Sequence, residues 1–325
     1  MAPLVRIVTP APPGSTSGNR VTAERWARRL GELGCRVVVE EELGAADGEL
    51  LIALHARRSH AAAARWAAER PAAPLVVALT GTDVYRDVPA GDAAARSSLA
   101  LATRLVALQA RAADALPAAL RDKVRVIHQS CEVPPLPPPP PEARGGFVVA
   151  VLAHLRAIKD PLAAGEAVRL MPAGSPVRVL HAGEALEADL AERARALARD
   201  TGGRYRWLGP LDRPRALALA RACRLLCLTS LAEGGANVVT EAIALGAPVV
   251  STRIEGSLGL LGEDHPGYVA PGDRAALADL LDRCARDPAL MDELRARSAA
   301  LGHLADPSEE RERWRALLAE LGCPR

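Results

Sequence analysis

Two carboxylates and a glycine-rich turn occur within one short segment of the second half of the chain. Glu233 and Glu241 are separated by seven residues, and Gly234 and Gly235 follow the first of them. Glycine adopts backbone conformations that other residues avoid, and a helical pattern then continues to Gly246. The segment therefore predicts a tight turn that opens a helix, with one carboxylate on each side of the turn.

Such a helix start presents backbone amides that attract phosphate. We expect Gly235, Ala236, Asn237 and Val238 to supply this surface, while Glu241 accepts hydrogen bonds from hydroxyls such as those of a ribose. Glu233 would bind the hydroxyls of a sugar at the other end. This arrangement suits a nucleotide-sugar, although a capped and partly buried helix would give the same pattern.

A cationic loop follows the first predicted strand of the second half. The stretch VLAHLRAIKD places His154, Arg156 and Lys159 after that strand. A planar guanidinium and a compact ammonium together neutralise a diphosphate and the charge that it gains as a glycosidic bond breaks. Ordinary surface charge is the alternative. Gly183 follows a later strand and would border the base of the nucleotide.

Polar loops also follow strands in the first half. Gly18, Asn19 and Arg20 belong to the stretch PAPPGSTSGNR, which we interpret as a flexible rim that could close over an anion. An ordinary turn between a strand and a helix explains it equally well.

Two further loops of the first half carry charge or hydroxyls. One holds His55, Arg57 and Arg58, and the other Thr80, Thr82 and Asp83. A histidine beside arginines could receive an anionic acceptor or donate to a leaving phosphate, with His55 and His154 as catalytic candidates. The alternatives are a histidine at a helix start with solvated arginines, and an aspartate that caps its helix.

Short apolar runs that alternate with helical patterns must position these loops, and they predict an α/β fold with two parallel sheets. The expected organisation is an N-terminal Rossmann-like domain over 1–133, a proline-rich linker over 134–146, a C-terminal Rossmann-like domain over 147–304, and a helix over 305–325 that returns to the first domain. A cleft is expected between the domains. The predicted strands cover 4–9, 36–40, 50–54, 75–79, 104–107, 124–127, 147–152, 177–182, 205–208, 225–229 and 248–251.

Composition limits the function classes. The chain has 325 residues, 49% of them apolar and 2% aromatic, and a formal charge of +2. This near balance, without a dense basic arm, argues against nucleic acid as a partner. No apolar run approaches the length of a membrane span, so we expect no stable membrane insertion. Arg25, Arg28 and Arg29 on the first helix could touch anionic lipid, but we expect them to form a solvated face.

The cysteines and acidic residues give two further expectations. Six cysteines are scattered without paired spacing, and the N-terminus breaks at prolines before any signal core forms, which predicts a reduced, cytoplasmic protein. Cys223 and Cys227 are interpreted as core residues because no second pair of ligands is near. The sequence contains no DxD pair, so we expect chemistry without a metal ion and without a cofactor.

The motifs HLRAIKD and SLAEGGANVVTEAIALGAPVVST together resemble the donor half of GT-B retaining glycosyltransferases of family 4. The resemblance covers nearly the whole chain and is strongest in the second half. It implies a GT-B fold, Glu233 and Glu241 as the glutamate pair of the family, and Arg156 with Lys159 as the pair that binds the diphosphate. One departure is that Thr80 stands where many members have histidine.

The first half narrows this resemblance. GNRVTAERWA, LIALHARRS and VVALTGTDVYRD resemble the selenosugar synthases of bacterial selenoneine biosynthesis. This implies transfer of a hexose from UDP-N-acetylglucosamine or UDP-glucose to selenophosphate, with Arg20, Arg57 and Arg58 on the phosphate oxygens and other pathway enzymes as candidate partners. The alternatives are a family 4 enzyme with an alcohol or lipid acceptor, and a non-catalytic protein that binds a nucleotide-sugar.

Overall fold

The computed structural model describes residues 2–323, in which strands and helices alternate. The strands are β1 Leu4–Val8, β2 Arg36–Glu40, β3 Leu50–Leu54, β4 Leu75–Leu79, β5 Arg104–Ala107, β6 Val124–Val126, β7 Phe147–Leu152, β8 Val177–Ala182, β9 Tyr205–Trp207, β10 Leu225–Leu228, β11 Val249–Thr252 and β12 Tyr268–Val269. The helices are α1 Gly18–Glu32, α2 His60–Glu69, α3 Ala93–Leu101, α4 Ala118–Arg121, α5 Ala163–Leu170, α6 Ala188–Asp200, α7 Arg213–Ala222, α8 Asn237–Ala244, α9 Glu255–Leu261, α10 Arg274–Arg286, α11 Pro288–Ala300 and α12 Pro307–Glu320.

The chain divides into two compact units. The first takes in the chain up to Ser130, the short segment Glu233–Ala236 and the part from Pro307 onward. Its sheet is entirely parallel, in the order β2-β1-β3-β4-β5-β6. The strand order reverses direction between β1 and β3, so the loops that follow these two strands diverge from this point of the sheet.

The second unit comprises Cys131–Ala232 and Asn237–Asp306. Its sheet is also parallel, in the order β12-β11-β10-β7-β8-β9. Counted from its own first strand, this is the 3-2-1-4-5-6 order of a Rossmann fold, and the reversal falls between β7 and β10. Two Rossmann-like parallel-sheet units are therefore present, as the sequence predicts.

The strand predictions are confirmed closely for β2, β3, β4, β5, β7 and β8, whose bounds match. Four other strands, β1, β6, β9 and β10, end one residue earlier than predicted. The predicted run over 248–251 is wrong by one position, because β11 begins at Val249 after a proline that has no N–H for the ladder. The two-residue strand β12 was not predicted, since so short an element carries no periodicity.

Helix α1 begins at Gly18, within the stretch PAPPGSTSGNR. The Ser17 side chain accepts a hydrogen bond from the Arg20 amide, which caps the helix at Gly18. Gly18, Asn19 and Arg20 therefore form the first helical turn, and their interpretation as a flexible rim is wrong. A glycine and an asparagine weaken a helix pattern, but the first turn tolerates them when a cap is present.

The first unit buries a cluster of charges on α1 and α12. Glu310 is 2% exposed, and its carboxylate accepts hydrogen bonds from Trp26 Nε1 at 3.0 Å and Arg25 Nε at 3.1 Å. The Ser130 hydroxyl donates to the other oxygen, and Arg29 Nε lies 3.7 Å from it. The expectation of a solvated face at Arg25 and Arg29 is wrong, because α12 supplies a buried carboxylate opposite them.

Each unit has its own buried apolar core. In the first unit, Trp26 and Trp314 meet edge to face with ring centroids 4.8 Å apart. In the second, Val149, Val179 and Cys227 lie on the buried face of the sheet. Burial raises the pKa of the Cys227 thiol to about 12, as expected for a cysteine that packs in a core.

The proline-rich run before β7 is mostly irregular, with a short 3-10 turn at Pro141–Ala143. Its last part is held by the Arg178 guanidinium, which donates to the carbonyl oxygens of Glu142, Arg144 and Gly145. Within residues 2–323, no helix combines the length and hydropathy that a membrane span needs.

Candidate functional site

The loop after β7 in the second unit occupies the point where the strand order reverses. β7 pairs with β8 on one side and with β10 on the other. Ligands of open parallel sheets bind beyond the carboxyl ends of the strands at such a point. The structure thus places His154, Arg156 and Lys159 at the position of this sheet that topology favours for a ligand.

Backbone contacts hold this loop against the segment that follows β10. The Thr229 hydroxyl lies within hydrogen-bond distance of two carbonyl oxygens, 3.2 Å from that of Lys159 and 2.9 Å from that of Asp160. The Leu231 amide donates to the carbonyl of Ile158 at 2.9 Å. The short turn Ala157–Lys159 is therefore fixed by its neighbour in the sheet.

An ion pair fixes the end of the same loop. Asp160 adopts a left-handed conformation with φ 43°, and both its carboxylate oxygens lie 2.6 Å from the guanidinium of Arg274. Arg274 also donates through Nε to Glu166 at 2.7 Å. A non-glycine residue in this conformation costs free energy that the surrounding contacts must offset, and such residues cluster at functional sites.

His154 and Gly183 lie where the loops after β7 and β8 meet. The Glu184 amide donates to His154 Nδ1 at 3.1 Å, so Nδ1 acts as an acceptor and Nε2 carries the proton. A Cβ on Gly183 would fall 1.8 Å from the carbonyl oxygen of Ala153. The Gly183 amide donates to Gly209, so this glycine serves the close approach of two backbones.

A buried histidine that the sequence reading missed supports the same loop. His181 Nε2 lies 2.8 Å from the Ala153 carbonyl oxygen, and Nδ1 lies 2.8 Å from the Tyr205 hydroxyl. Burial lowers the pKa of His181 to about 4, so the ring is neutral and Nε2 donates to the carbonyl. A histidine in the apolar run of β8 gave no local sign of this role.

Helix α8 carries the second predicted donor residue. Glu241 lies one turn beyond Asn237, and its Oε1 is 3.1 Å from Nε of Arg213 at the start of α7. Arg213 also donates to the Glu132 carbonyl and to the Cys131 sulfur. The sequence reading missed Arg213, because arginine is common in this chain and nothing local distinguishes this one.

In the first unit, His55 lies at the end of β3, beside the reversal of strand order. It is 2% exposed and has φ 74°. Its Nδ1 accepts a hydrogen bond from the Arg58 amide at 3.3 Å, and its Nε2 is 2.9 Å from the Thr82 hydroxyl. Desolvation lowers the pKa of His55, so the neutral ring is favoured.

Asp83 organises the neighbouring loops through backbone hydrogen bonds. Its buried carboxylate accepts from the amides of Ala56 at 3.0 Å, Thr80 at 3.0 Å, Gly81 at 2.7 Å and Val84 at 3.0 Å. One buried carboxylate thus fixes the loops after β3 and β4 through four backbone amides. A role of Asp83 in binding the acceptor stays a prediction.

The arginines after β3 differ in their surroundings. Arg57 Nε lies 2.9 Å from Asp87, which also pairs with Arg86 at 3.1 Å. Arg58 has an exposed side chain. Arg20, by contrast, is buried and pairs with Glu24 at 2.7 Å. Of the three arginines predicted to hold phosphate oxygens, Arg57 and Arg58 share one loop and Arg20 lies in the first turn of α1.

The glycine-rich segment Glu233–Ala236 packs within the first unit. A Cβ on Gly81, where φ is +128°, would fall 2.5 Å from the Gly234 amide nitrogen, and one on Gly234 would fall 2.5 Å from the Thr80 carbonyl carbon. The Gly235 carbonyl accepts from Gln129 at 3.2 Å. Glu233, Gly235 and Ala236 thus belong with Thr80 and Thr82, whereas Asn237, Val238 and Glu241 belong with Arg156 and Lys159.

Metal ligation and cysteine chemistry have little support in the described part of the chain. Within it, no three His, Cys, Asp or Glu side chains are grouped as metal ligands would be. All six cysteines are buried free thiols, and burial raises the pKa of Cys223 to about 12. The expectation of metal-independent chemistry stays a prediction.

The family described as glycosyl transferases group 1 matches residues 137–300, just over half of the chain. No curated protein matches the sequence.

Several solved structures are similar over nearly the full length. HepE from Anabaena, solved with UDP and glucose, has a TM-score of 0.77 at 18% identity and covers 98% of this chain and 100% of its own. Sucrose-phosphate synthase from Thermosynechococcus elongatus has a TM-score of 0.75 at 17% identity, with 99% of both chains covered. A glycosyltransferase from Rickettsia africae has a TM-score of 0.74 at 14% identity, with both chains fully covered. Identities this low establish the fold alone.

Proposed function

The chain belongs to group 1 of the glycosyl transferases, and on that premise we propose that it transfers a hexose from a UDP-sugar to selenophosphate. It is a glycosyltransferase with the GT-B fold of two Rossmann-like units, which confirms the fold predicted from the sequence. The donor, the acceptor and the roles of individual residues are the proposed part.

The observation that carries the proposal is the fixed cationic loop after β7. Arg156 and Lys159 lie in the loop after β7, a central strand of the second sheet. Thr229 contacts the backbone carbonyls of Lys159 and Asp160, and Arg274 pairs with the Asp160 carboxylate, so the end of this loop is fixed. Charges that are placed in advance stabilise a departing diphosphate without reorganisation during the reaction. We assign Arg156 and Lys159 to the diphosphate of the donor, with His154 at the edge of the same loop.

Helix α8 fits the remaining part of the donor. Its first amides, at Asn237 and Val238, suit a phosphate, and Glu241 one turn later suits the two hydroxyls of a ribose. Neighbours of the same fold support this donor class, because structures of Anabaena HepE hold UDP, UDP with glucose, and UDP-glucose. We therefore propose UDP-glucose or UDP-N-acetylglucosamine as the donor.

The acceptor assignment depends on the first unit. Arg57, Arg58, Thr80 and Thr82 follow neighbouring strands β3 and β4, and they offer positive charge and hydroxyls. Selenophosphate is ionised at neutral pH, so the site need only orient it. In the reaction the anomeric carbon loses its bond to the diphosphate oxygen and gains a bond to selenium. Loss of phosphate by hydrolysis would then leave a selenosugar.

Parallel incubations, together with a measurement of UDP binding, test the proposal. Selenophosphate is supplied with an equal mixture of UDP-glucose and UDP-N-acetylglucosamine, UDP release is measured, and the product is identified by mass spectrometry. Simple alcohols replace selenophosphate in parallel. We expect UDP release and a product that contains selenium. If UDP is released with alcohols but not with selenophosphate, this supports an alcohol or lipid acceptor. If UDP binds but is not released from the UDP-sugars with any acceptor, this supports a non-catalytic protein.

Two variants separate the roles within the donor site. Glu241→Ala should raise the Kd for UDP, since a ribose contact is lost. Lys159→Ala should lower kcat with a smaller change in UDP affinity, because it removes charge that matters most as the bond breaks. The opposite pattern would contradict these assignments.

A further inference from the structure

The hydrogen-bond arrangement around His55 fixes the direction of one hydroxyl. His55 Nδ1 receives the amide proton of Arg58 at 3.3 Å, so this nitrogen is unprotonated. The neutral ring then carries its proton on Nε2, which faces the Thr82 hydroxyl oxygen at 2.9 Å. Thr82 Oγ1 is therefore the acceptor in this contact.

A threonine hydroxyl that accepts a hydrogen bond still has one proton to donate. Within residues 2–323 the structure records no acceptor for that proton of Thr82. Thr82 is only partly buried, in contrast to His55 and Asp83 beside it. The proton is thus available to a ligand that approaches the loops after β3 and β4.

The backbone at His55 is strained, and hydrogen bonds from neighbouring residues support it. His55 has φ 74°, which a non-glycine residue adopts only when its surroundings impose it. The Ser59 hydroxyl bonds to the Leu54 carbonyl, and the Asp83 carboxylate holds the Ala56 amide. These contacts keep the imidazole ring turned toward Thr82.

The same arrangement removes His55 as a base. One ring nitrogen has its lone pair engaged by the Arg58 amide, and the other already carries a proton. Asp87 Oδ2 lies 4.0 Å from Nε2, beyond a hydrogen bond, and it pairs with Arg57 at 2.9 Å. This histidine therefore acts through its hydrogen bond to Thr82 and not by taking a proton from the acceptor.

We propose that His55 is a positioning residue that turns the Thr82 hydroxyl outward as a hydrogen-bond donor to the acceptor. The inference rests on the proposed glycosyl transfer and deepens it by naming the pair of residues that orients the acceptor. In the transfer step a lone pair of the anion forms the new bond to the anomeric carbon. The bond to the diphosphate oxygen breaks, its electron pair leaves with UDP, and no proton moves.

Thr82→Val and Thr82→Ser provide the test. Valine keeps the shape of the threonine side chain without its hydroxyl. Serine keeps the hydroxyl and loses only a methyl group. A hydrogen bond to an anion contributes enough that its loss should raise the KM for selenophosphate at least about tenfold in Thr82→Val. The KM for the UDP-sugar and the melting temperature should stay unchanged, and Thr82→Ser should recover most of the loss.

His55 is tested by a matched pair. His55→Gln keeps an amide donor for Thr82, whereas His55→Leu removes it. We expect the acceptor KM to rise more in His55→Leu than in His55→Gln, with the donor KM unchanged in both. A merely structural role would move the melting temperature and both KM values together.

Two outcomes would overturn the inference while leaving glycosyl transfer intact. One is an acceptor KM that rises equally in His55→Leu and His55→Gln. The other is an unchanged acceptor KM in Thr82→Val. If no UDP is released from any pair of substrates, the proposed function fails instead. In that case calorimetry measures the binding of thiophosphate, in the presence of UDP, to wild type and to Thr82→Val. Equal affinity for the two proteins, or no binding to either, would refute the inference.

Discussion

Arg213 holds the carboxylate of Glu241 from the start of α7, with Nε 3.1 Å from Oε1. The contact joins two helices of the second unit and is more than half shielded from solvent on both sides. If Glu241 binds the ribose of the donor, Arg213 determines where the carboxylate lies before the donor arrives. Preorganisation of this kind adds affinity because the side chain loses less freedom on binding.

Arg213→Ala should raise the Kd for UDP by roughly fivefold to tenfold, since a mobile carboxylate costs about 1 kcal/mol more to order. Isothermal calorimetry with UDP measures this. Arg215→Ala on the same helix is the control, because Arg215 is mostly exposed and lies 3.7 Å from Asp212. Equal affinity in Arg213→Ala and wild type would contradict the role.

The ion pair between Arg274 and Asp160 should fix the conformation of the cationic loop after β7. Arg274→Gln leaves Asp160 in a strained conformation without its bidentate partner, and we expect kcat to fall about tenfold and the free energy of unfolding to fall by about 2 kcal/mol. Steady-state kinetics and denaturant unfolding test the two effects. Arg286→Gln, which breaks an exposed pair with Asp282 on the same helix, should change neither.

Gly183 should tolerate no side chain. Gly183→Ala places a Cβ 1.8 Å from the Ala153 carbonyl oxygen, so the two loops must separate, and we expect a loss of about 3 kcal/mol or more in stability. Thermal unfolding measures the loss. Gly174→Ala is the matched control in the same unit, because nothing lies within 4 Å of its added Cβ. Similar melting temperatures for the two variants would show that the loops separate easily.

His181 should make the second unit sensitive to acid. The native pKa is lowered to about 4 by burial, whereas an unfolded histidine titrates near 6.5. Below about pH 6.5 the unfolded state binds a proton that the native state refuses, so stability falls with falling pH until about pH 4. The shift corresponds to about 3 kcal/mol over this window.

His181→Gln should therefore lose less stability than wild type between pH 7 and 4.5, as measured by denaturant unfolding at each pH. His303→Gln, at an exposed position, is the control and should follow the wild-type curve. Parallel curves for wild type and His181→Gln would contradict a neutral buried imidazole.

Glu310 should be essential to the stability of the first unit. Glu310→Gln removes the charge that faces Arg25 and Arg29 in a buried site, and uncompensated buried charge costs about 3 to 5 kcal/mol. Denaturant unfolding measures the change. Glu309→Gln is the control, since the neighbouring side chain is exposed. Unchanged stability in Glu310→Gln would mean that water reaches this cluster.

The sequence by itself determined the class of fold and the bounds of most central strands, because burial on both faces of a parallel sheet leaves continuous apolar runs such as LLIAL and LVVAL. It also predicted that polar residues after strands, such as His55 and Lys159, belong to loops. These features are local, since each depends on the pattern of a few neighbouring residues. The individual roles of these residues stay predictions.

Only the tertiary structure decided which strands are neighbours, and therefore that the loops after β7 and β3 lie where each sheet reverses its order. It also paired Arg25 with Glu310, 285 positions apart, and Arg213 with Glu241 across two helices. In a chain with so many arginines, no local pattern marks the few that meet a buried carboxylate. Such partners are selected by how distant segments pack, and that information is spread over the whole core.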